Sequence, residues 1–186
     1  MQTSHPAVSG GVALTGRTTP LGELRLAATD DALVYCGFQD RAAVRERILR
    51  AGLRETPAGA WTRAQTELFE EAGRQIDAYL TGARREFELP VDLVLATPFC
   101  AETVRALHSV VPYGSTATYG ELARALSRPR AARAVGTALG ANPLCVLLPC
   151  HRIVASSGRS EGYAGGPAAK RYLLRLERSR EELPAP

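Results

Sequence analysis

Apolar and polar residues alternate in three short blocks near the start of the chain: Val12-Ala13-Leu14, Leu24-Arg25-Leu26 and Leu33-Val34-Tyr35. Turn-forming residues separate the blocks, Pro20-Leu21-Gly22 and then Asp30-Asp31, so the pattern predicts an antiparallel meander. The period then lengthens. Residues 41–50 and 64–80 repeat at helical spacing, and the second run sets Leu68, Ala72, Ile76 and Tyr79 on one stripe before Gly82 ends it. These helices are expected to cover the sheet. The stretch Phe87-Glu88-Leu89-Pro90-Val91-Asp92-Leu93 reads as one more short strand leading into a linker, and the character of the sequence changes near Leu95.

Beyond that point the pattern is mostly helical. Thr97 can cap a helix with Pro98 in its first position, followed by Val104, Leu107 and Val111 as an apolar stripe, and Pro112-Tyr113-Gly114 ends it. A short helix over 119–126, a turn through Ser127-Arg128-Pro129 and a helix over 130–139 make a helix-turn-helix candidate. A last helix is expected over 166–180, with Tyr172, Leu173 and Leu176 on its buried side. The chain is therefore expected to be α+β: a loose tail at 1–11, a sheet domain with helices at 12–95, a mostly helical domain at 96–180 and a second tail at 181–186. Its 186 residues suit one ordinary domain or two small ones.

Composition narrows the function classes. With 45% hydrophobic and 23% charged residues, the chain is a globular protein rather than a disordered one. A net charge of +4 favours phosphate-rich partners only if it gathers on one face. Lys170 is the only lysine, a bias that fits GC-rich coding as well as arginine's bidentate contacts to phosphates and bases. Cys36, Cys100, Cys145 and Cys150 form no C-x-x-C pair and, with His5 or His108, have no zinc spacing. Free thiols, a cytoplasmic location and no membrane association are expected, because neither a signal pattern nor a spanning apolar run is present. No dinucleotide fingerprint or Walker loop occurs, so no cofactor is expected.

The helix at 130–139 has an unusual distribution of small residues. At 100° per residue, Ala131, Val135, Ala138 and Leu139 fall on one side, and Arg133, Gly136, Thr137 and Gly140 on the other. Such a bare face suits close packing of a neighbouring helix. It equally suits DNA, because the minor groove is only about 6 Å wide and excludes a helix with long side chains. Arg133 would then be the one side chain able to enter the base stack. Arg124, Arg128 and Arg130 around the turn would hold phosphates or remain solvated charges.

The most specific signal is Asn142-Pro143, the apolar run Leu144-Cys145-Val146-Leu147-Leu148, and Pro149-Cys150-His151-Arg152-Ile153-Val154. Adjacent residues on a regular element point in different directions, so a Cys-His pair alone is not a nucleophile and base. Here a strand-like buried run and a proline would deliver the thiol to a pocket wall. Thiolate is the reactive form, so an imidazole, directly or through a water, must take its proton. A carboxylate must orient that imidazole, and Glu177 is the first candidate, Glu161 the second.

These segments resemble the O6-alkylguanine-DNA alkyltransferase family. The resemblance runs in order through Tyr119-Gly120-Glu121-Leu122-Ala123, Arg133-Ala134-Val135-Gly136, Asn142-Pro143, Pro149-Cys150-His151-Arg152, Gly162-Tyr163-Ala164-Gly165-Gly166 and Leu173-Leu174. Pro20-Leu21-Gly22 and Leu89-Pro90 are similar, more loosely, to the family's ribonuclease-H-like sheet domain. The resemblance implies that Cys150 irreversibly accepts the alkyl group from O6-alkylguanine, and from O4-alkylthymine, in a base flipped out of double-stranded DNA. His151 would act as base through a water, Glu177 would orient it, and Asn142 would brace the segment. Tyr119 would donate a proton or hydrogen bond to the guanine ring and crowd the phosphate. Arg133 would fill the gap in the stack, with Ala132, Gly136 and Thr137 against the minor groove and Arg128 and Arg130 on phosphates. Carbonyls near Cys150 and Ile153 would read the guanine amine, and N–H groups near Tyr163 and Ala164 would face O6, with Lys170 supporting that loop.

The resemblance further implies a monomer acting on duplex DNA. The sequence departs from the family at Cys100, where glutamine is usual, and at Val104, where a larger apolar residue is common, which affects packing more than chemistry. Ser160-Glu161 adds an acidic group near the substrate loop. Two other classes share some of these features: a non-enzymatic helix-turn-helix protein or lesion sensor, and a cysteine hydrolase. The retained Cys150 speaks against the first, and Tyr119, Arg133 and the bare helix face against the second.

Overall fold

The computed structural model describes residues 11–156 and 162–178. Strands β1 (Ala13–Thr19), β2 (Gly22–Ala28) and β3 (Leu33–Gly37) form an antiparallel sheet in the order β1-β2-β3, the expected meander. The β1–β2 register runs from Ala13 opposite Ala28 to Thr19 opposite Gly22. Gly22 closes that hairpin at φ +104°, a conformation open to glycine at little steric cost.

Helices α1 (Arg41–Arg50) and α2 (Arg63–Leu80) follow. Asp40 caps α1 by accepting from the Ala43 N–H at 2.8 Å, and Thr62 with Gln65 forms a reciprocal capping box on α2. The buried stripe of α2 is Phe69, Ala72, Ile76 and Tyr79, so Phe69 takes the inner position expected of Leu68, which is only half-buried. Val12, Leu14, Ala27 and Val34 on one sheet face pack on Val44 and Ile48 of α1. The other apolar cluster extends from Leu24, Leu26 and Leu33 through Ile76 to Leu107 and Leu173, so both halves of the chain contribute to it.

Two stretches expected as strands are not. Residues 87–93 make a single parallel bridge, Val91 to Leu33, in which the Leu33 N–H donates to Pro90 O and the Asp92 N–H donates to Leu33 O. Pro90 has no N–H to extend the ladder. The apolar run 144–148 is buried as expected, but it makes one bridge, Leu144 to Cys36, and then coils so that the Leu148 N–H reaches Leu144 O at 2.8 Å. An unbroken apolar run reports burial and leaves the backbone conformation open.

The second half contains α3 (Pro98–Arg105), α4 (Leu107–Val110), β4 (Ala117–Thr118), α5 (Tyr119–Ala125), α6 (Ala132–Gly140), β5 (Ile153–Val154) and α7 (Gly166–Arg178). The one helix expected after Thr97 is divided at Ala106 into α3 and α4, yet Val104, Leu107 and Val111 all remain buried. Cys100 and Val104 are buried on α3, and the Cys100 thiol donates to Ala138 O of α6 at 3.2 Å. Parallel pairing of β4 with β5 sets Thr118 beside Val154, which brings the start of α5 to the end of the segment 142–154.

Helices α5 and α6 form the expected helix-turn-helix. The Ser127 N–H reaches Arg124 O and the Arg128 N–H reaches Ala123 O, a Schellman closure with Ser127 at φ +58°. The buried line of α7 is Ala169, Lys170, Leu173 and Glu177, which corrects the expected Tyr172-Leu173-Leu176 side. Tyr172 is exposed and donates to Leu80 O, and Leu176 is half-buried. A search for apolar periodicity passes over Lys170 and Glu177, which face inward because each has a buried partner. Ser160, Glu161, residues 1–10 of the first tail, the second tail and residues 179–180 lie outside the described residues. Among the described residues no helix is long and apolar enough to cross a membrane.

A left-handed serine costs about 1–2 kcal/mol, less the backbone entropy that glycine loses on folding. Ser127→Gly is therefore expected to raise the unfolding free energy by about 0.5–1 kcal/mol in urea denaturation, with no change in the transition's steepness.

Candidate active site

The segment 142–154, which carries Cys150, is built on Asn142, which follows the end of α6 and is buried. Its Oδ1 accepts from the Leu144 N–H at 2.9 Å, while its Nδ2 donates to Leu148 O and to Cys150 Sγ, both at 3.2 Å. One side chain thus ties the loop's start to its end and holds the thiol. Val146, at the loop's centre, adopts φ +71°, an outlier for a β-branched residue that persists because the surroundings fix it. Residues Cys150–Arg152 then form a 3₁₀ turn.

His151 and Arg152 both turn toward Glu177 of α7. His151 Nε2 lies 2.6 Å from Glu177 Oε1, and Arg152 Nε donates to Oε2 at 2.9 Å. The Gly114 N–H also donates to Oε2, at 3.1 Å, and the Tyr79 hydroxyl of α2 donates to Oε1. Arg152 is further held by Val111 O at 3.0 Å. Burial alone would raise the Glu177 pKa, but the His151 hydrogen bond and charge, Arg152 and Tyr79 hold it at about 2. An ionised carboxylate only accepts, so His151 Nε2 carries the proton and Nδ1 presents a lone pair. Nδ1 is buried and has no protein hydrogen-bond partner. Burial outweighs Glu177 and keeps the imidazole pKa below its ordinary value, so His151 is neutral near pH 7.

The thiols differ in character. Burial pushes Cys36 up to about 12, and Cys145 stands well above its ordinary value. Cys150 is lowered by the Cys145 thiol, and further by the Asn142 amide and the Lys170 ammonium, while burial opposes them. Cys150 is thus the one of these three buried thiols favoured as thiolate. Lys170, buried on α7, donates to Ile153 O at 2.6 Å, which fixes the carbonyl expected to line the pocket.

Tyr119, at the start of α5, lies between α6 and the loop before α7. A β-carbon on Gly136 would sit 3.6 Å from its ring, and one on Gly162 would sit 3.2 Å from its hydroxyl. Burial and then Cys150 raise its pKa, so it remains a proton donor. Tyr163 is buried edge-on to Phe38 at 5.6 Å and to His151 at 6.2 Å, and Ala164 is exposed. A β-carbon on Gly165 would meet the Phe38 ring at 2.6 Å, so this loop sits flush on the first half of the chain.

On α6, Arg133, Thr137 and Gly140 are exposed and Ala132 is half-buried. Gly136 is half-buried rather than open, because Tyr119 covers it. Thr137 bonds back to Arg133 O. Arg124 and Arg130 are exposed, whereas Arg128 pairs with Glu102 at 3.1 Å and stacks over Phe99. Sequence reasoning identified Cys150, His151, Asn142 and Glu177 but gave no role to Arg152, Gly114 or Tyr79. Arg152 stood in the motif itself, while Tyr79 was visible only as a stripe position. Among the described residues no group of three His, Cys, Asp or Glu side chains gathers into a metal-sized cluster.

The depressed Glu177 pKa has a definite acid signature. Its contribution to stability is complete above the ordinary value of 4.5 and is lost as pH falls toward about 2. The neutral buried His151 adds a loss that begins below its ordinary 6.5. Chemical denaturation at a series of pH values should show stability falling through this window.

Comparison with known proteins covers both halves. Residues 98–179 match the DNA binding domain of 6-O-methylguanine DNA methyltransferase, and residues 15–93 match its ribonuclease-like domain. A methylated-DNA–protein-cysteine methyltransferase of Methanosarcina acetivorans is 36% identical over 161 residues, covering 87% of this chain and 95% of that protein. One from Mycolicibacterium paratuberculosis is 38% identical over 160 residues, covering 86% and 88%. Among solved structures, Mycobacterium tuberculosis O6-methylguanine methyltransferase superposes with a TM-score of 0.74 at 36% identity, covering 94% and 96% of the two chains. The M. tuberculosis protein in complex with DNA gives 0.71 at 36% identity, covering 91% and 94%. With both domain types matched in order and relatives aligned over nearly their whole length, the chain belongs to the methylated-DNA–protein-cysteine methyltransferase family.

Proposed function

We propose that this protein repairs alkylated DNA by moving the alkyl group from O6 of guanine, and from O4 of thymine, to Cys150. The observation that carries the reading is the buried line from Asn142 through Cys150 and His151 to Glu177. The DNA complex of the M. tuberculosis relative supports DNA as partner.

In this reading a water links His151 Nδ1 to the thiol, and the imidazole takes the thiol proton while Glu177 stabilises the resulting cation. Cys150 Sγ then attacks the alkyl carbon. A C–S bond forms, the C–O6 bond breaks and its electron pair stays with the guanine, which receives a proton or hydrogen bond from Tyr119. The thioether has no route back to thiol in this site, so each molecule acts once.

Base access sets the remaining roles. O6 lies inside the duplex, so the nucleotide must leave the stack at a cost of a few kcal/mol, least for a poorly paired lesion. The Arg133 side chain fills the gap while Ala132, Gly136 and Thr137 allow α6 to approach the minor groove. Arg124 and Arg130 face phosphates, and Arg128 does so after yielding its Glu102 pairing. Lys170 holds the Ile153 carbonyl ready for the guanine amine, and the Tyr163-Ala164 backbone faces O6. The protein acts as a monomer.

Duplex DNA bearing O6-methylguanine is expected to leave one methyl group on the Cys150 peptide, in one-to-one amount without turnover, as read by mass spectrometry. Lesion clearance by Cys150→Ala would defeat the proposal. Arg133→Ala is expected to slow repair of duplex DNA at least tenfold while leaving transfer from free O6-benzylguanine near wild type. Equal losses on the two substrates would remove the wedge role.

A further inference from the structure

Glu177 Oε1 serves two donors, and one of them comes from the other half of the chain. The Tyr79 hydroxyl, in the last turn of α2, donates to the same oxygen that His151 Nε2 approaches at 2.6 Å, and it stands 3.5 Å from Nε2 itself. The ring is held by Phe87 at 4.8 Å and by Tyr113, edge-on, at 6.2 Å. Tyr79 is essentially inaccessible, so its hydroxyl has no bulk water to turn to. Burial and the Glu177 charge push its pKa well up, which keeps it a donor.

We propose that Tyr79 is a positioning residue of the alkyl-transfer relay: its hydroxyl fixes Glu177 Oε1 against His151 and limits how far that carboxylate stabilises the imidazolium. The inference rests on the relay proposed above. Two hydrogen bonds to one oxygen divide its negative charge, so a donor at Tyr79 weakens the pull of Glu177 on the Nε2 proton. The charged groups around His151 act with opposite signs. Glu177 of α7 favours the cation, while Arg152 on the same turn and Lys170 of α7 oppose it. The Tyr163 ring adds an edge contact, and Cys150 lies on the same turn. Tyr79 acts on Glu177, the carboxylate of this set that favours the cation. The pH at which the thiol becomes reactive is therefore set partly by the N-terminal half.

The test is the pH profile of single-turnover transfer from free O6-benzylguanine, which needs no base flipping. Tyr79→Phe keeps the ring and removes the hydroxyl. Its acid limb is expected to move up by about half a unit to one unit, the equivalent of one hydrogen bond at the shared oxygen. Replacing Tyr79 with 3,5-difluorotyrosine, a stronger donor of nearly the same shape, should move the limb down, and this carries the test should the Phe protein fail to fold. A limb that stays in place for either folded variant, whatever happens to the plateau rate or melting temperature, overturns the proposal, as does a shift of the opposite sign. Absence of Cys150 alkylation in the wild-type protein would instead overturn the function on which it rests.

Discussion

One buried carboxylate holds the second half of this molecule to the first. Glu177 takes a proton donor on each of its four sides: His151 and Tyr79 on Oε1, Arg152 and the Gly114 N–H on Oε2. Removing a carboxylate from water costs several kcal/mol unless such a set repays it, and breaking one partner of a buried pair costs about 3–5 kcal/mol. The four donors come from α2, from the loop after α4 and from the reactive turn, while the carboxylate stands on α7. A shift of α2 or of the loop after α4 leaves part of the carboxylate without its hydrogen bond, and a shift of the Cys150–Arg152 turn also removes Arg152, its cationic partner.

The role proposed for Cys150 depends on that hold through its neighbour in sequence. His151 can serve Cys150 only if its ring is fixed and its Nδ1 is free, and Glu177 secures both by claiming Nε2. Asn142 performs the matching task on the other side, with its amide on Sγ and its carbonyl on the loop backbone. The site is therefore preorganised before substrate arrives, the condition under which a nucleophile needs least rearrangement at the moment of reaction. Under the proposed function, an alkyl group on Cys150 would occupy space beside Asn142 and Leu148 in a packed wall. Overfilling such a wall strains its neighbours.

Much of this was legible in the chain because it is local. The cap at Thr97, the meander and the turn at Ser127 are written in adjacent residues, and Asn142, Cys150 and His151 lie within ten positions. Glu177 was legible as the acidic residue on a helix that had to be buried. What could not be read is the convergence of distant elements. Tyr79 looked like one apolar stripe position among several, because nothing near it in sequence announces a partner 98 residues away. The buried side of α7 was misassigned for the same reason: Lys170 and Glu177 are inward only because Ile153 O and the His151-Arg152 pair await them. The run 144–148 showed its burial but not its coil, which the Asn142 side chain imposes.

The claim that a carboxylate organises the relay is tested most directly by Glu177→Gln. The glutamine amide nitrogen then faces either Arg152 and the Gly114 N–H, which only donate, or His151 Nε2, which can accept only in the tautomer that puts the proton on Nδ1 and removes its lone pair. Single-turnover transfer from free O6-benzylguanine, measured on protein whose near-ultraviolet circular dichroism remains native-like, should slow by about 10²-fold or more, the scale of a lost general base. Transfer at the wild-type rate with an unchanged pH profile would contradict the account.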